Sequence, residues 1–207
     1  MVKIKRIGLF GGSFDPVHAG HLKLASLAKK EFRLGKVIFI PAFTPPHKKH
    51  KALSNPSRRL KMLSLAIKPH PSFSVSRFEL NKRKPVFTYR TLEHFSKKYR
   101  GSALFFILGS DSLADIKSWK RPGRILELSE LIVGVRKGAA KPGKPSAGRV
   151  HVLRKTLPSV SSTGIRMLAQ SSRKTEDGRR KTDLKNKLKG LVPNAVASYI
   201  IKNGIYN

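Results

Sequence analysis

Gly11-Gly12-Ser13-Phe14-Asp15-Pro16-Val17-His18-Ala19-Gly20-His21 is the most informative stretch of this 207-residue chain. It follows an apolar run at 7–10 that reads as a strand, and it opens a stretch of helical spacing from about Gly20. Two adjacent glycines let the backbone turn sharply and approach a ligand with no Cβ in the way. A helix start aimed at that turn offers unpaired N–H groups and the positive end of its dipole, which together suit a phosphate. His18 and His21 stand three residues apart across the helix start. Both imidazoles can face one anion and donate to it, more strongly if protonated. Gly-Lys-Ser/Thr is missing, so this is no Walker loop, and it is not the GxGxxG fingerprint. A histidine pair also suits a metal, but with no cysteine in the chain and no obvious carboxylate partner a zinc site is disfavoured.

Outward from this motif, further apolar runs at 37–40, 73–76, 103–108, 131–135 and 150–153 read as strands. The run at 103–108 is continuous, as a strand covered on both faces should be. Leu22, Ala25, Ala28 and Phe32 fall near helical spacing, as do Leu60, Leu63 and Ile67. Residues 91–98 form a third helix candidate, and 194–202 a last one between Pro193 and Gly204. Such alternation predicts β-α-β units. The expected fold is α/β, a Rossmann-like, doubly wound and mainly parallel sheet flanked by helices, in a single domain over 1–207. Loops are expected at 41–56, with four prolines and basic residues at 47–51, and at 138–148. Residues 170–190 hold eight Lys/Arg and three Asp/Glu, and read as a basic insertion before the last helix, either mobile or a ragged exposed helix.

Composition bounds the rest. The 39% apolar content supports one full core. No apolar run is long enough for a membrane span, and the first ten residues are too short of apolar length for a secretory signal. Absence of cysteine excludes disulfides and makes the cytoplasm the default compartment. With 44 Lys+Arg against 11 Asp+Glu, the net charge of +33 favours anionic partners and permits non-specific nucleic-acid binding. The basic residues are spread along the whole chain, so a solvated basic surface is preferred to a dedicated nucleic-acid role.

Several later segments look like partners of the first motif. Gly109-Ser110-Asp111 ends the strongest strand, where open α/β sheets bind ligands. Asp111 either accepts from a ribose hydroxyl or caps the next helix. Ser161-Ser162-Thr163 supplies hydroxyls and a second helix start, with Arg166 one turn in, so it is either another phosphate element or a plain cap with a surface arginine.

On these residues the chain resembles the HxGH nucleotidyltransferase superfamily, and the bacterial nicotinate-nucleotide adenylyltransferases in particular. GGSFDPVHAGHL at 11–22 is similar to the superfamily signature. Pro45-Pro46-His47-Lys48 is similar to the family's substrate loop, and Leu108-Gly109-Ser110-Asp111-Ser112-Leu113 with Trp119 to its GxDxL…W. Ser161-Ser162-Thr163-Gly164-Ile165-Arg166 is similar to its SSTxIR. Phe87-Thr88-Tyr89-Arg90-Thr91-Leu92 is similar to its SYTxDTL, with Phe and Arg where Tyr and Asp are usual. The likeness covers about 4–168 and 191–206.

The resemblance implies adenylyl transfer from ATP to nicotinate mononucleotide, giving deamido-NAD and pyrophosphate. It implies ATP contacts from Gly11, Gly12, Ser13, Phe14, His18, Gly20, His21, Gly109, Asp111, Ser161, Ser162, Thr163 and Arg166. Phe14, His47, Lys48, Thr88, Ser110 and Trp119 would serve the mononucleotide. Trp119 would stack on the pyridine ring, although ordinary core packing suits a lone Trp equally. Thr88 would meet the nicotinate carboxylate or cap the following helix. The catalytic set would be His18 at the α-phosphate, His21 and Arg166 at the β- and γ-phosphates, and Lys48 at the incoming phosphate. Mg2+ would travel on the triphosphate and need few protein ligands. The alternatives are the same chemistry on nicotinamide mononucleotide or phosphopantetheine, and a basic nucleic-acid-binding protein on this scaffold. Self-association stays open.

Overall fold

Each of the six apolar runs becomes a strand of one all-parallel sheet in the computed structural model, which describes residues 5–46, 53–139, 149–171 and 179–206. In chain order the elements are β1 (Arg6–Gly12), α1 (Ala19–Glu31), β2 (Lys36–Pro41), α2 (Pro56–Ile67), β3 (Phe73–Val75), α3 (Phe78–Asn81) and α4 (Thr88–Lys98). There follow β4 (Ala103–Gly109), α5 (Ser110–Ala114), a single 3₁₀ turn (Ile116–Ser118), α6 (Pro122–Leu128), β5 (Glu130–Gly134) and β6 (Val150–Val152). The chain closes with α7 (Ser162–Ser171), α8 (Arg179–Leu188) and α9 (Asn194–Lys202). The strand order is β3-β2-β1-β4-β5-β6.

Period-two alternation assigns the strand side chains to two cores. Phe10, Phe105 and Ile107 join a core with Leu24, Ala25 and Ala28 of α1, Met62 and Leu63 of α2, and buried residues of α7, α8 and α9. Ile7, Leu9, Phe106 and Leu108 point to the other face, against Leu92 and Phe95 of α4 and Ile125 of α6. Both faces of β1 and β4 are covered, so their sequences read as continuous apolar runs.

Within 170–190, expected as a mobile insertion or a ragged exposed helix, the described residues are helical and two of them are buried. Helix α7 runs to Ser171 and α8 from Arg179 to Leu188, with Leu184 and Leu188 buried in the first core. Those leucines lie four apart on one helical face, and the surrounding lysines hid them from a reading based on composition. Residues 172–178 lie outside the described residues, as does most of the 138–148 loop. Leu188→Ala is expected to cost about 2–5 kcal/mol, read as a lower urea midpoint. A loss under about 1 kcal/mol would detach α8 from the core.

A second buried tie fixes the helices of the other face. Glu79 of α3 is buried and accepts a hydrogen bond from the Thr91 hydroxyl of α4 at 2.7 Å. Burial pushes its pKa up to about 7, against which the Thr91 bond acts only in part. A folded-state pKa above the unfolded one means Glu79 favours folding at low pH, with that contribution lost between about 4.5 and 7. Glu79→Gln removes this loss. Its stability relative to the parent should rise by up to about 3 kcal/mol from pH 4 to pH 8, measured by urea unfolding at each pH.

Candidate active site

Strand order reverses between β1 and β4, so the chain leaves these neighbours toward opposite faces and a crevice opens beyond their C-terminal ends. Gly11 and Gly12 end β1, Gly109 ends β4, and Gly134 ends β5. A cleft of about 440 Å³ lies there, lined also by the starts of α1 and α7. Its volume falls in the range of ligand pockets. A larger cavity, about 890 Å³, lies at the opposite edge between Lys5, Arg6, Glu31, Arg33 and Lys36. It sits at the N-terminal ends of the strands, away from the glycine turn and both histidines.

The turn into α1 differs from expectation. Gly11 and Gly12 stay in the strand, paired with Ile40 and Pro41. The chain turns instead at Phe14, which takes a left-handed φ of 50°. Its buried ring is wedged against Phe10, Phe39 and His21, at 5.4, 5.6 and 5.1 Å between centroids, and this packing holds the unusual conformation. The Phe14 ring is thus core, and it meets the cleft only as part of the wall.

His18 and His21 are brought together. Their rings stack with centroids 3.6 Å apart and planes 27° from parallel. His18 is the N-cap of α1. The backbone N–H of His21 donates to His18 Nδ1 at 3.3 Å, and the N–H of His18 donates to His21 Nδ1 at 3.2 Å. This reciprocal capping box occupies both Nδ1 lone pairs, which in the neutral rings puts the proton on Nε2. Burial, and then the positive charge of Arg136, lower the His18 pKa to about 4. At neutral pH His18 is therefore neutral in this structure, with its proton on Nε2. Close packing at Gly20 completes the arrangement, since a Cβ there would lie 3.0 Å from the His18 ring.

The second helix start faces the first. Ser161 Oγ accepts the Gly164 N–H at 3.1 Å, while Ser162 Oγ donates to the Pro16 carbonyl at 2.9 Å. Arg166 donates through Nη1 to the Asp15 carbonyl at 2.7 Å and through Nη2 to Thr163 Oγ1 at 3.3 Å. Ser161, Ser162, Thr163 and Arg166 all line the cleft. Ser162 also ties α7 to the first motif across 146 residues of sequence.

At the end of β4, Gly109 and Asp111 line the cleft, whereas Ser110 does not. Asp111 is not a helix cap: α5 is capped by Gly109, and Asp111 lies in its first turn, paired with Arg136. Trp119 is half-buried on the cleft wall, edge-on to Phe106 at 6.2 Å. Thr88 stands at the first position of α4, whose N-cap is Phe87 with no side-chain cap bond, so it is not a cap either. It is also not among the cleft residues. His47 and Lys48 lie outside the described residues.

Sequence reading missed four residues. Arg136 follows β5 and lines the cleft, but strand-end position was its only signal. Arg59, Asp15 and Tyr206 form a buried network under the first motif. Arg59 is fully buried and donates to the carbonyls of Ser13, Phe43 and Ser54 at 2.8, 2.9 and 3.0 Å. Asp15 Oδ1 accepts from the Tyr206 hydroxyl at 2.6 Å, and Oδ2 from the Ser54 N–H at 3.0 Å. Nothing in a row of helical arginines marks one as buried.

A family model described as cytidylyltransferase-like matches residues 9–168. Relatives named "Probable nicotinate-nucleotide adenylyltransferase" include one from Clostridium botulinum, 37% identical over 203 residues and covering 98% of both chains. Another, from Thermomicrobium roseum, is 34% identical over 203 residues, covering 98% of this chain and 92% of the relative. Among solved structures, Plasmodium falciparum nicotinic acid mononucleotide adenylyltransferase complexed with NaAD aligns with a TM-score of 0.76 at 20% identity, covering 98% of this chain and 97% of that one. At that identity the likeness is one of fold.

Proposed function

This chain belongs to the nicotinate-nucleotide adenylyltransferases, within the cytidylyltransferase-like family, and from that premise we infer that it transfers the adenylyl group of ATP to nicotinate mononucleotide. The observation that carries this reading is the pair of helix starts, α1 and α7, facing one cleft at the switch point of the sheet, with α7 hydrogen-bonded through Ser162 and Arg166 to the turn that leads into α1. Two positive helix ends, two imidazoles and a guanidinium converge where a triphosphate needs them.

The 5′-phosphate of the mononucleotide is already an anion, so no general base is needed. Its oxygen bonds to the α-phosphorus of ATP while the bridge to the β-phosphate breaks, and pyrophosphate leaves with the electron pair. Rate enhancement then comes from alignment and fixed donors. His18, through its Nε2–H, serves the α-phosphate. His21, Arg166 and the N–H groups at the start of α7 hold the leaving pyrophosphate, and Lys48 meets the incoming phosphate. Asp111 suits the ribose hydroxyls, and Trp119 supplies an aromatic face for the pyridine ring.

Mg2+ fits as an ion carried by the triphosphate. Among the described residues no group of three or more His, Asp or Glu could hold a metal ion. The Asp15 carboxylate is engaged by Tyr206 and Ser54, and Asp111 is paired with Arg136. Mg2+ would supply charge neutralisation to the triphosphate.

A pyrophosphate-release assay with ATP and a panel of acceptors tests the function. Nicotinate mononucleotide should be preferred over nicotinamide mononucleotide and phosphopantetheine. Preferred turnover of either alternative would reassign the acceptor.

A further inference from the structure

The turn at 13–16 is held by bonds to its own carbonyls. Ser13 O accepts from Arg59, Asp15 O from Arg166, and Pro16 O from Ser162. Two of these donors, Arg166 and Ser162, also line the triphosphate side of the cleft, so the position of the turn sets theirs. The turn in turn hangs on the Asp15 side chain. That carboxylate is 1% exposed and accepts from Tyr206 at 2.6 Å, 191 residues away in sequence. Tyr206 comes from the tail after α9, which is fixed by the buried Ile205 and by the Ile205 N–H bond to Ile200 O. Burial, with the Asp15 charge beside it, pushes the Tyr206 hydroxyl far above its ordinary pKa, so it remains a donor throughout the working range.

We propose that Tyr206 is a positioning residue for the triphosphate: by fixing Asp15 it sets the 13–16 turn, and through the turn the aim of Arg166 and Ser162. The inference rests on the adenylyl-transfer reading. Tyr206 is not among the residues lining the cleft, so it would act on the triphosphate only through the turn. The buried carboxylate under Ser54 and Arg59 would otherwise be free to pull the turn toward the base of α2.

The test compares Tyr206→Phe, which keeps the ring and removes the hydroxyl, with the parent. The KM for ATP and the Kd of a non-hydrolysable ATP analogue should each rise about tenfold, less than the hundredfold that a full 1 Å misplacement can cost. The KM for nicotinate mononucleotide should stay within twofold. Val196→Ala, in the buried face of α9 and remote from the cleft, is the control for mere destabilisation and should keep parental constants at equal folded fraction. Ile205→Ala loosens the tail without removing the hydroxyl, and should raise the KM for ATP in the same direction but less. It also serves if Tyr206→Phe does not fold. Parental ATP constants in the variant, or the same rise in Val196→Ala, overturn the proposal. A parent enzyme that transfers no adenylyl group sinks the functional reading instead, and calorimetry with the analogue still reports on the brace.

Discussion

His18→Asn is expected to lower kcat by roughly 10²–10³, the range for removing one preorganised donor from a developing oxyanion. Asparagine separates two tasks that the histidine combines. It is among the best N-cap residues, and its side-chain oxygen can accept the His21 N–H as His18 Nδ1 does. The backbone N–H of residue 18 can still donate to His21 Nδ1. Stability should therefore stay within about 1 kcal/mol of the parent, while the Nε2–H proposed to donate to the α-phosphate is gone. Because burial and Arg136 lower the His18 pKa to about 4 in the free protein, the parent kcat/KM should show no inflection from His18 at the ordinary histidine pKa of 6.5. The same shift has a stability sign. A lowered folded-state pKa means the unfolded chain binds the extra proton first, so stability present above about 6.5 is lost as pH falls toward 4. The asparagine variant should lose that slope. Turnover within tenfold of the parent would remove His18 from the α-phosphate.

Arg59→Met should cause the largest loss of stability among single substitutions here, about 3–5 kcal/mol. The methionine fills much of the volume, so the loss is electrostatic. It leaves the carbonyls of Ser13, Phe43 and Ser54 without the donor they share, and the buried Asp15 carboxylate without the nearby positive charge. In a chain of this size the melting temperature should fall by roughly 10 °C or more. Arg59→Lys should recover little, because an ammonium cannot match the planar fork that spans three carbonyls. A melt within about 2 °C of the parent would mean that the guanidinium is replaceable there.

The legible parts of this chain share one property: they repeat locally. Strands covered on both faces produce apolar runs such as 103–108, and α1 and α2 show their apolar spacing over a few turns. The 11–21 motif states its helix start within eleven residues. What escaped reading was set by distance. The turn was expected at the glycines and occurs at Phe14, because an aromatic cluster from two strands and α1 outweighs the backbone preference of the residue itself. Leu184 and Leu188 were lost among lysines, although the core they enter is built largely by other helices.

Contiguous residues were enough to read a parallel α/β sheet, a glycine-led helix start after β1 and a second helix start at 161–166. Hydrophobic period, glycine chemistry and helix dipoles are properties of contiguous residues, and so survive in one dimension. Folding in three dimensions was needed to tie the second helix start to the turn before the first, to bury His18 in its neutral form, and to join Arg59, Asp15 and Tyr206 beneath the cleft. Burial and hydrogen bonding between residues up to 191 apart exist only once the chain has closed on itself, because desolvation depends on what covers a group and not on its neighbours in sequence.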